Sequence, residues 1–379
     1  MKIAFIADVH IDNHRIHGGH LVAGLNARAC GIATALRDAC AIARHEGADL
    51  LVVAGDLFDT TRPSPQIIAA TQQALVGIPT VLLMGNHDRN SGVPGDHALG
   101  PMLGQMVATI PGRHELSESA DDVALMLPFD ARPAESWMPQ AIISLAAEAR
   151  AHGQRPVCAV AHVGIHDAQI RASSPWLTGS HDAIAMESLR AALFTAGVPA
   201  FFAGNWHTHK QWKWAAEGTT ITQIGALVPT GWDNPGVAGY GSVILYDCAS
   251  GAVTRAEVRG PRFVTVQTEA ELDAEMARAK ASNCTLSARW RVAPAQAQAA
   301  REVLAEKCLT GSSEVVLDAK AASALASSAA KSARGAPTMV AALRGYVARM
   351  DLDVGPDAGP LAAAMRAQVL RDCLTLLKL

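Results

Sequence analysis

The chain has 379 residues, half of them hydrophobic, and a net charge of −3, which leaves room for one large core, a smaller module and a tail. That balance excludes a basic nucleic-acid arm and an acidic disordered chain. Seven scattered cysteines with no CxxC pair point to free thiols in a reducing compartment and away from a zinc knuckle. The amino terminus runs from a strand-like segment straight into Asp8 and His10 and lacks the long apolar core of a signal peptide, so a cytosolic protein with no membrane span is expected.

Residues 2–7 read as a first strand, and it delivers Asp8 and His10 with one residue between them. Alternate side chains of an extended backbone share a face, so both can address the same ion. The loop that follows carries His14, His17 and His20, but Gly18 and Gly19 interrupt any helix. A solvated loop is expected there, with substrate contact as the other reading. A helical pattern over 29–45 leads into a second apolar run that ends in Gly55, Asp56 and Asp59. The rigid loop TTRPSP then carries Arg62, and Pro65 opens another helix. The third strand, within IPTVLLM, ends abruptly in Gly85, Asn86, His87 and Asp88, where an amide, an imidazole and a carboxylate gather at one strand end.

Further on, the pattern predicts a short helix over 98–107, a strand over 123–127 and an amphipathic helix over 134–152. A strand then delivers His162, a helix covers 186–196, and the strand VPAFFAG ends in Asn205, Trp206, His207, Thr208 and His209. Strands at 219–224 and 241–246 follow. Alternating strands and helices whose strand ends all carry ligand-type residues predict an α/β sandwich with a site along one edge. After Gly260 the character changes to a compact βαβαβ unit without clustered His or Asp. The chain is therefore divided into a first domain of residues 1–260, an accessory domain at 261–318, a low-complexity linker at 319–336 and a helical tail at 337–379. In the tail, Met339, Leu343, Tyr346 and Met350 fall on one helical face, and Leu361, Met365, Val369 and Cys373 on another. A basic tail with two apolar stripes is either a docking element or packs back on its own domain.

The strand ends together supply Asp8, His10, Asp56, Asn86, His87, His162, His207 and His209. Oxygen and imidazole ligands without thiolate favour a hard or borderline divalent ion. The set is too large for one catalytic ion that keeps open positions, and two ions sharing a carboxylate account for it. Such a pair forms a clamp for in-line displacement at phosphorus. Near the site in sequence, Arg62, Arg89, Lys210, Lys213, Trp212 and Trp214 offer cations for phosphates and indoles for exposed bases; the alternative is a strand whose tryptophans are core.

The motifs DVH at 8–10, GDLFD at 55–59, GNHD at 85–88, the lone His162 and HTH at 207–209 resemble the calcineurin-like metallophosphoesterase superfamily over residues 1 to about 250. GDLFDTTRPSP, with a helical tail after a cap-like unit, resembles the Mre11/SbcD nucleases, including phage relatives. The resemblance implies an α/β/β/α sandwich with a small βαβαβ cap domain and a helical C-terminal tail. It implies that Asp8, His10, Asp56 and His209 hold one ion and Asp56, Asn86, His162 and His207 the other, with Mn²⁺ as the metal. His87 is then placed beside the leaving oxygen. Asp59 stands where archaeal and eukaryotic members resemble one another in having histidine and bacterial-type members look like this chain. Asp88 is either an orienter of His87 or a loop cap. Trp206 departs from the pattern, standing where glycine usually precedes the paired histidines. By the same resemblance, a homodimeric DNA nuclease is expected, a 3′–5′ exonuclease on duplex ends and an endonuclease on single strands. It would act in DNA repair or recombination with a Rad50/SbcC-like SMC ATPase held by the tail.

Overall fold

The computed structural model describes residues 1–15, 21–91, 93, 95–116, 121–173, 180–232, 234, 241–282, 284–307, 309, 311–317 and 368. Met1–Arg291 with Gln298–Val316 form one compact unit. The other, Val292–Ala297 with Leu317–Leu379, holds the 3-10 turn Pro294–Gln296. The expected linker and tail helices, and His17 and His20, lie outside the described residues, Gln368 excepted.

Two six-stranded sheets make up the larger part of the first unit. The first runs in the order Val253–Val258, Gly241–Asp247, Lys2–Ile6, Leu50–Val53, Thr80–Leu83, Met106–Ala108. Its last four strands are parallel and the first two antiparallel additions. The second runs Lys210–Trp214, Thr219–Gln223, Ala200–Gly204, Arg155–His162, Asp122–Leu127, Gly112–Glu115, parallel in its centre and antiparallel at both edges.

The strands read as continuous apolar runs because both faces are covered. Ile3 and Phe5 face Phe202, Val160 and Met126 of the second sheet, whereas Ala4 and Ile6 face the helix Ala27–His45. On the far side, Leu125, Ala161 and Phe201 pack under the helices Ala134–Ala151 and Met186–Ala196. The result is the expected α/β/β/α sandwich. At its centre Phe5 stacks on Phe202 with ring centroids 3.9 Å apart, and each fully buried aromatic contributes about 1.5–3 kcal/mol.

Two helices facing the first sheet start where the sequence supplies caps. Asn26 accepts from the Ala29 N–H at 2.8 Å, and Ser64, with Pro65 behind it, accepts from Ile67 at 3.3 Å. The helix expected over 98–107 does not form. Pro101 lacks an N–H and Gly104 sits at φ +80°, so the segment turns and ends in the strand Met106–Ala108. Beyond residue 260, Arg262–Val266, Glu269–Ala281, Leu286–Val292, Ala297–Glu306 and Ser313–Leu317 give the expected βαβαβ order, with the three strands side by side. Among the described residues no helix is long and apolar enough to cross a membrane.

Parallel strands point their carboxyl ends the same way. Lys2–Ile6, Leu50–Val53 and Thr80–Leu83 therefore bring their loops to one end of the first sheet. Arg155–His162 and Ala200–Gly204 do the same for the second.

Candidate metal centre

The loops of the first sheet are laced to one another. Asp8, His10 and Ile11 donate their backbone N–H groups to the carbonyls of Gly55, Asp56 and Leu57 at 3.0–3.1 Å. The third loop docks on the second through Asp88, whose carboxylate accepts from Gly85 at 3.0 Å, Phe58 at 3.2 Å and Leu57 at 3.4 Å. Gly55 is needed where it stands: its φ is +93°, and a Cβ there would lie 2.0 Å from Nδ1 of His162. Five non-glycine residues among those described have positive φ, and four of them are Asp8, His10, Asp56 and Asn205, with φ 50°, 46°, 52° and 81°. Backbone strain is thus concentrated where the ligand-type side chains converge.

Those side chains meet from both sheets. Asp56 is the hub: Oδ1 accepts from the His87 N–H at 2.9 Å, and Oδ2 lies 3.3 Å from His162 Nε2 and 3.6 Å from His10 Nε2. His162 donates from Nδ1 to the Ala54 carbonyl at 2.9 Å and turns Nε2 toward Asn86 Oδ1 at 2.8 Å. His10 and His207 face each other with their Nε2 atoms 3.1 Å apart. The ligand atoms of Asp8, His10 and His207 lie within 4.8 Å of one another, as do those of Asp8, Asp56 and His162, and those of His10, Asp56 and His87. Two ligands set at right angles on one ion, each about 2.1 Å from it, are about 3 Å apart, which matches these separations.

Charge and hydrogen bonding show that the cluster is built for a cation. Oδ2 of Asp8 is buried and has no hydrogen-bond partner among the described residues, a cost that a bound cation removes. Burial pushes the Asp8 carboxyl up to about 6 despite the nearby His162. Burial would also raise Asp56, but His162 and His10 outweigh it and hold the group below the ordinary carboxylate range. Burial disfavours the charged form of His162, yet Asp56 and Asp8 push it up to about 10. Burial and the neighbouring His10 lower His207 to about 4, keeping it a neutral ring with a lone pair to give. Proton and metal ion compete for the same negative pocket, and the residues present fit a divalent metal.

Residues 1–211 match the family model described as calcineurin-like phosphoesterase. The chain belongs to that family. Among solved structures, a dimetal phosphatase from Danio rerio is 15% identical with a TM-score of 0.43, the match covering 68% of this chain and 95% of the other. A 5′-nucleotidase precursor from Thermus thermophilus is 14% identical with a TM-score of 0.40, over 74% of this chain and 58% of that one. The family uses a dinuclear metal centre in metal-dependent hydrolysis of phosphoesters, and this phosphoesterase carries the candidate ligand groups for one.

The structure brings Asp8, His10, Asp56, Asn86, His87, His162 and His207 together. The resemblance groups His207 with His162; its Nε2 lies 3.1 Å from that of His10. His209 lies outside these groups but donates Nδ1–H to the Ile224 carbonyl at 3.1 Å, the kind of outer bond that orients a ligating imidazole. Asp59 gathers three histidines: its carboxylate is 3.0 Å from His10 Nδ1, 3.5 Å from His14 Nδ1 and 3.6 Å from His87 Nδ1. His14 also bonds the His10 carbonyl at 2.7 Å, so it belongs to the wall of the centre and not to a solvated loop. Asp88 is fully buried, and its three backbone bonds make it a clamp between loops; of the two readings offered by sequence, the loop cap is the one seen.

The cations and indoles expected to meet DNA are distributed differently. Arg62 and Lys213 are exposed. Arg89 donates Nε–H to the Ser91 carbonyl at 2.8 Å and lies 5.9 Å from the Phe129 ring centre. Lys210 pairs with Asp167 at 2.6 Å, and Trp212 donates to the same carboxylate at 3.0 Å. Trp212 and Trp214 are half-buried and pack against the core under the second sheet's helices, which accords with the reading of a strand whose tryptophans are core. Sequence reasoning passed over Asn205 as a site residue. Its backbone N–H holds Asp8 Oδ1 at 2.9 Å and its amide holds Asp182 at 3.0 Å. Its place directly before the paired histidines was the available signal.

Proposed function

We propose that this phosphoesterase is a DNA nuclease of the Mre11/SbcD type that cleaves phosphodiesters with two Mn²⁺ ions. The observation that carries the reading is the open approach to the centre. His87 has 43% of its side chain exposed, and the surface beside His207 continues into a cavity of about 560 Å³, an arrangement that admits a polymer where a small ester would be enclosed. The GDLFDTTRPSP loop supports the same subtype.

Bound divalent ions supply an acidified water and polarise the phosphoryl group. Asp8, His10, Asp56, Asn86, His162, His207 and His209 are the residues that would hold them. The attacking water's oxygen forms the new P–O bond, and the bond from phosphorus to the leaving sugar oxygen breaks. His87 supplies the proton which that oxygen takes. Its Nδ1 is engaged by the Asp59 carbonyl at 3.2 Å, which leaves Nε2 for the substrate. Asp59 therefore acts as a positioning residue. In the same proposal the cellular context is DNA end processing as a homodimer, with residues 337–379 docking a Rad50/SbcC-like SMC ATPase.

The test is digestion of end-labelled linear duplex and single-stranded DNA with Mn²⁺, with EDTA and with His87→Ala. We expect metal-dependent cleavage that falls about 10²–10⁴-fold in the variant at unchanged metal content. Hydrolysis of nucleotides or a chromogenic diester with DNA left intact would replace the nuclease by a small-molecule phosphodiesterase. A chain truncated before Ala336 is expected to keep basal cleavage and to lose the ATPase; co-purification of the truncated chain with the ATPase removes the docking assignment.

A further inference from the structure

The cavity beside the metal centre is lined by Ile170, Asn205, Trp206, His207 and Lys210 among others, and Trp206 is the one aromatic carbocycle on its wall among the described residues. The indole is half-buried and seated on Gly164, where an added Cβ would lie 2.2 Å from its ring atoms. The segment that carries it is held on its other side by Asn205, whose backbone reaches Asp8 and whose amide reaches Asp182. The ring is therefore placed before any ligand arrives. Lys210, the cation on this wall, is already neutralised by Asp167 and lies 5.1 Å from the Trp212 ring centre, so charge is not what the cavity offers. It offers a fixed flat apolar surface next to a metal-ligating histidine.

We propose that Trp206 is the platform on which a nucleobase of the substrate stacks, with the phosphate of the same nucleotide on the neighbouring metal centre. The assignment rests on the phosphodiesterase reading above and gives it a specificity: esters that carry a nucleoside are selected over esters that do not. Trp206 and His207 line the same cavity, so a base stacked on the one and a phosphate held beside the other would share one continuous space. Stacking tolerates any base, which suits an enzyme that cuts without regard to sequence.

Two esters with the same leaving group separate the outcomes: thymidine 5′-(p-nitrophenyl phosphate) and methyl p-nitrophenyl phosphate, each assayed with the full-length chain and Mn²⁺. We expect Trp206→Ala to raise KM for the thymidine ester about fivefold or more, to leave the methyl ester within about twofold, and Trp206→Phe to restore most of the difference. Equal effects on both esters, or none on either, overturn the stacking platform while leaving the nuclease reading in place. If the wild-type chain cleaves neither diester but does cleave phosphate monoesters, the phosphodiesterase reading falls, and the platform falls with it.

Discussion

The two sheets contribute to the centre in different ways. The first delivers three buried carboxylates on three loops: Asp8 and Asp56 face the centre, and Asp88, with backbone bonds, ties the loops to each other. The second delivers His162 from the end of one strand and His207 from the loop after another, and that loop reaches the first sheet through the bond from Asn205 to Asp8. One side is a rigid acidic cradle, the other a set of imidazoles brought up against it. The ligand-type groups of the two sides therefore meet only where the sheets pack together, a contact that includes the Phe5–Phe202 stack.

The largest effect is expected where the two sides share a residue. Asp56→Asn keeps the shape and an acceptor for the His87 N–H but removes the negative charge between His10 and His162. Phosphoester hydrolysis should fall by about 10³ or more, and metal analysis should show depleted binding in a chain that still melts cooperatively. Full metal content in that variant would deny Asp56 its central role. Next comes the cradle itself. Asp88→Ala strands three backbone donors, each costing about 1–3 kcal/mol, so thermal or urea unfolding should register a loss of at least about 3 kcal/mol. A change under ~1 kcal/mol would mean that the loops are held by their backbone ladder alone. The smallest effect belongs to the second sheet's loop. Asn205→Gly accepts φ +81° without strain and keeps the N–H to Asp8, losing only the bonds to Asp182. We expect about tenfold weaker Mn²⁺ binding by titration and little loss of stability; an unchanged binding curve would show that Asp182 does not steady this side.

The same contrast explains what could be read from the sequence. Asp8, His10, Asp56, Asn86 and His87 stand out because each ends a short, wholly apolar run, and a buried strand end is an expensive place for an unpartnered polar group. His162 and the 207–209 triplet follow by the same rule. The roles of Asp88 and His14 depend on which loop lies opposite, a matter of sheet order that no local pattern carries. KQWKW alternates in the same way whether its indoles face a base or a core; that Trp212 and Trp214 pack against the core beneath the second sheet's helices is visible only in the fold. The strands Gly164–His166 and Ala183–Ala185 are three residues each, too short for alternation to register. The mistaken helix at 98–107 had helical spacing of apolar residues but also Pro101 and Gly104, and the breakers prevailed.

The left-handed backbone at Asp8, His10 and Asp56 has an evolutionary corollary. At Asp8, whose buried Oδ2 also has no hydrogen-bond partner among the described residues, glycine would relax the main chain and remove an unpartnered group, so a substitution expected to weaken the metal centre is also one a folding screen has reason to favour. A library of this chain sorted only for heat resistance is expected to drift toward inert proteins, and one sorted for turnover will keep discarding its sturdiest members.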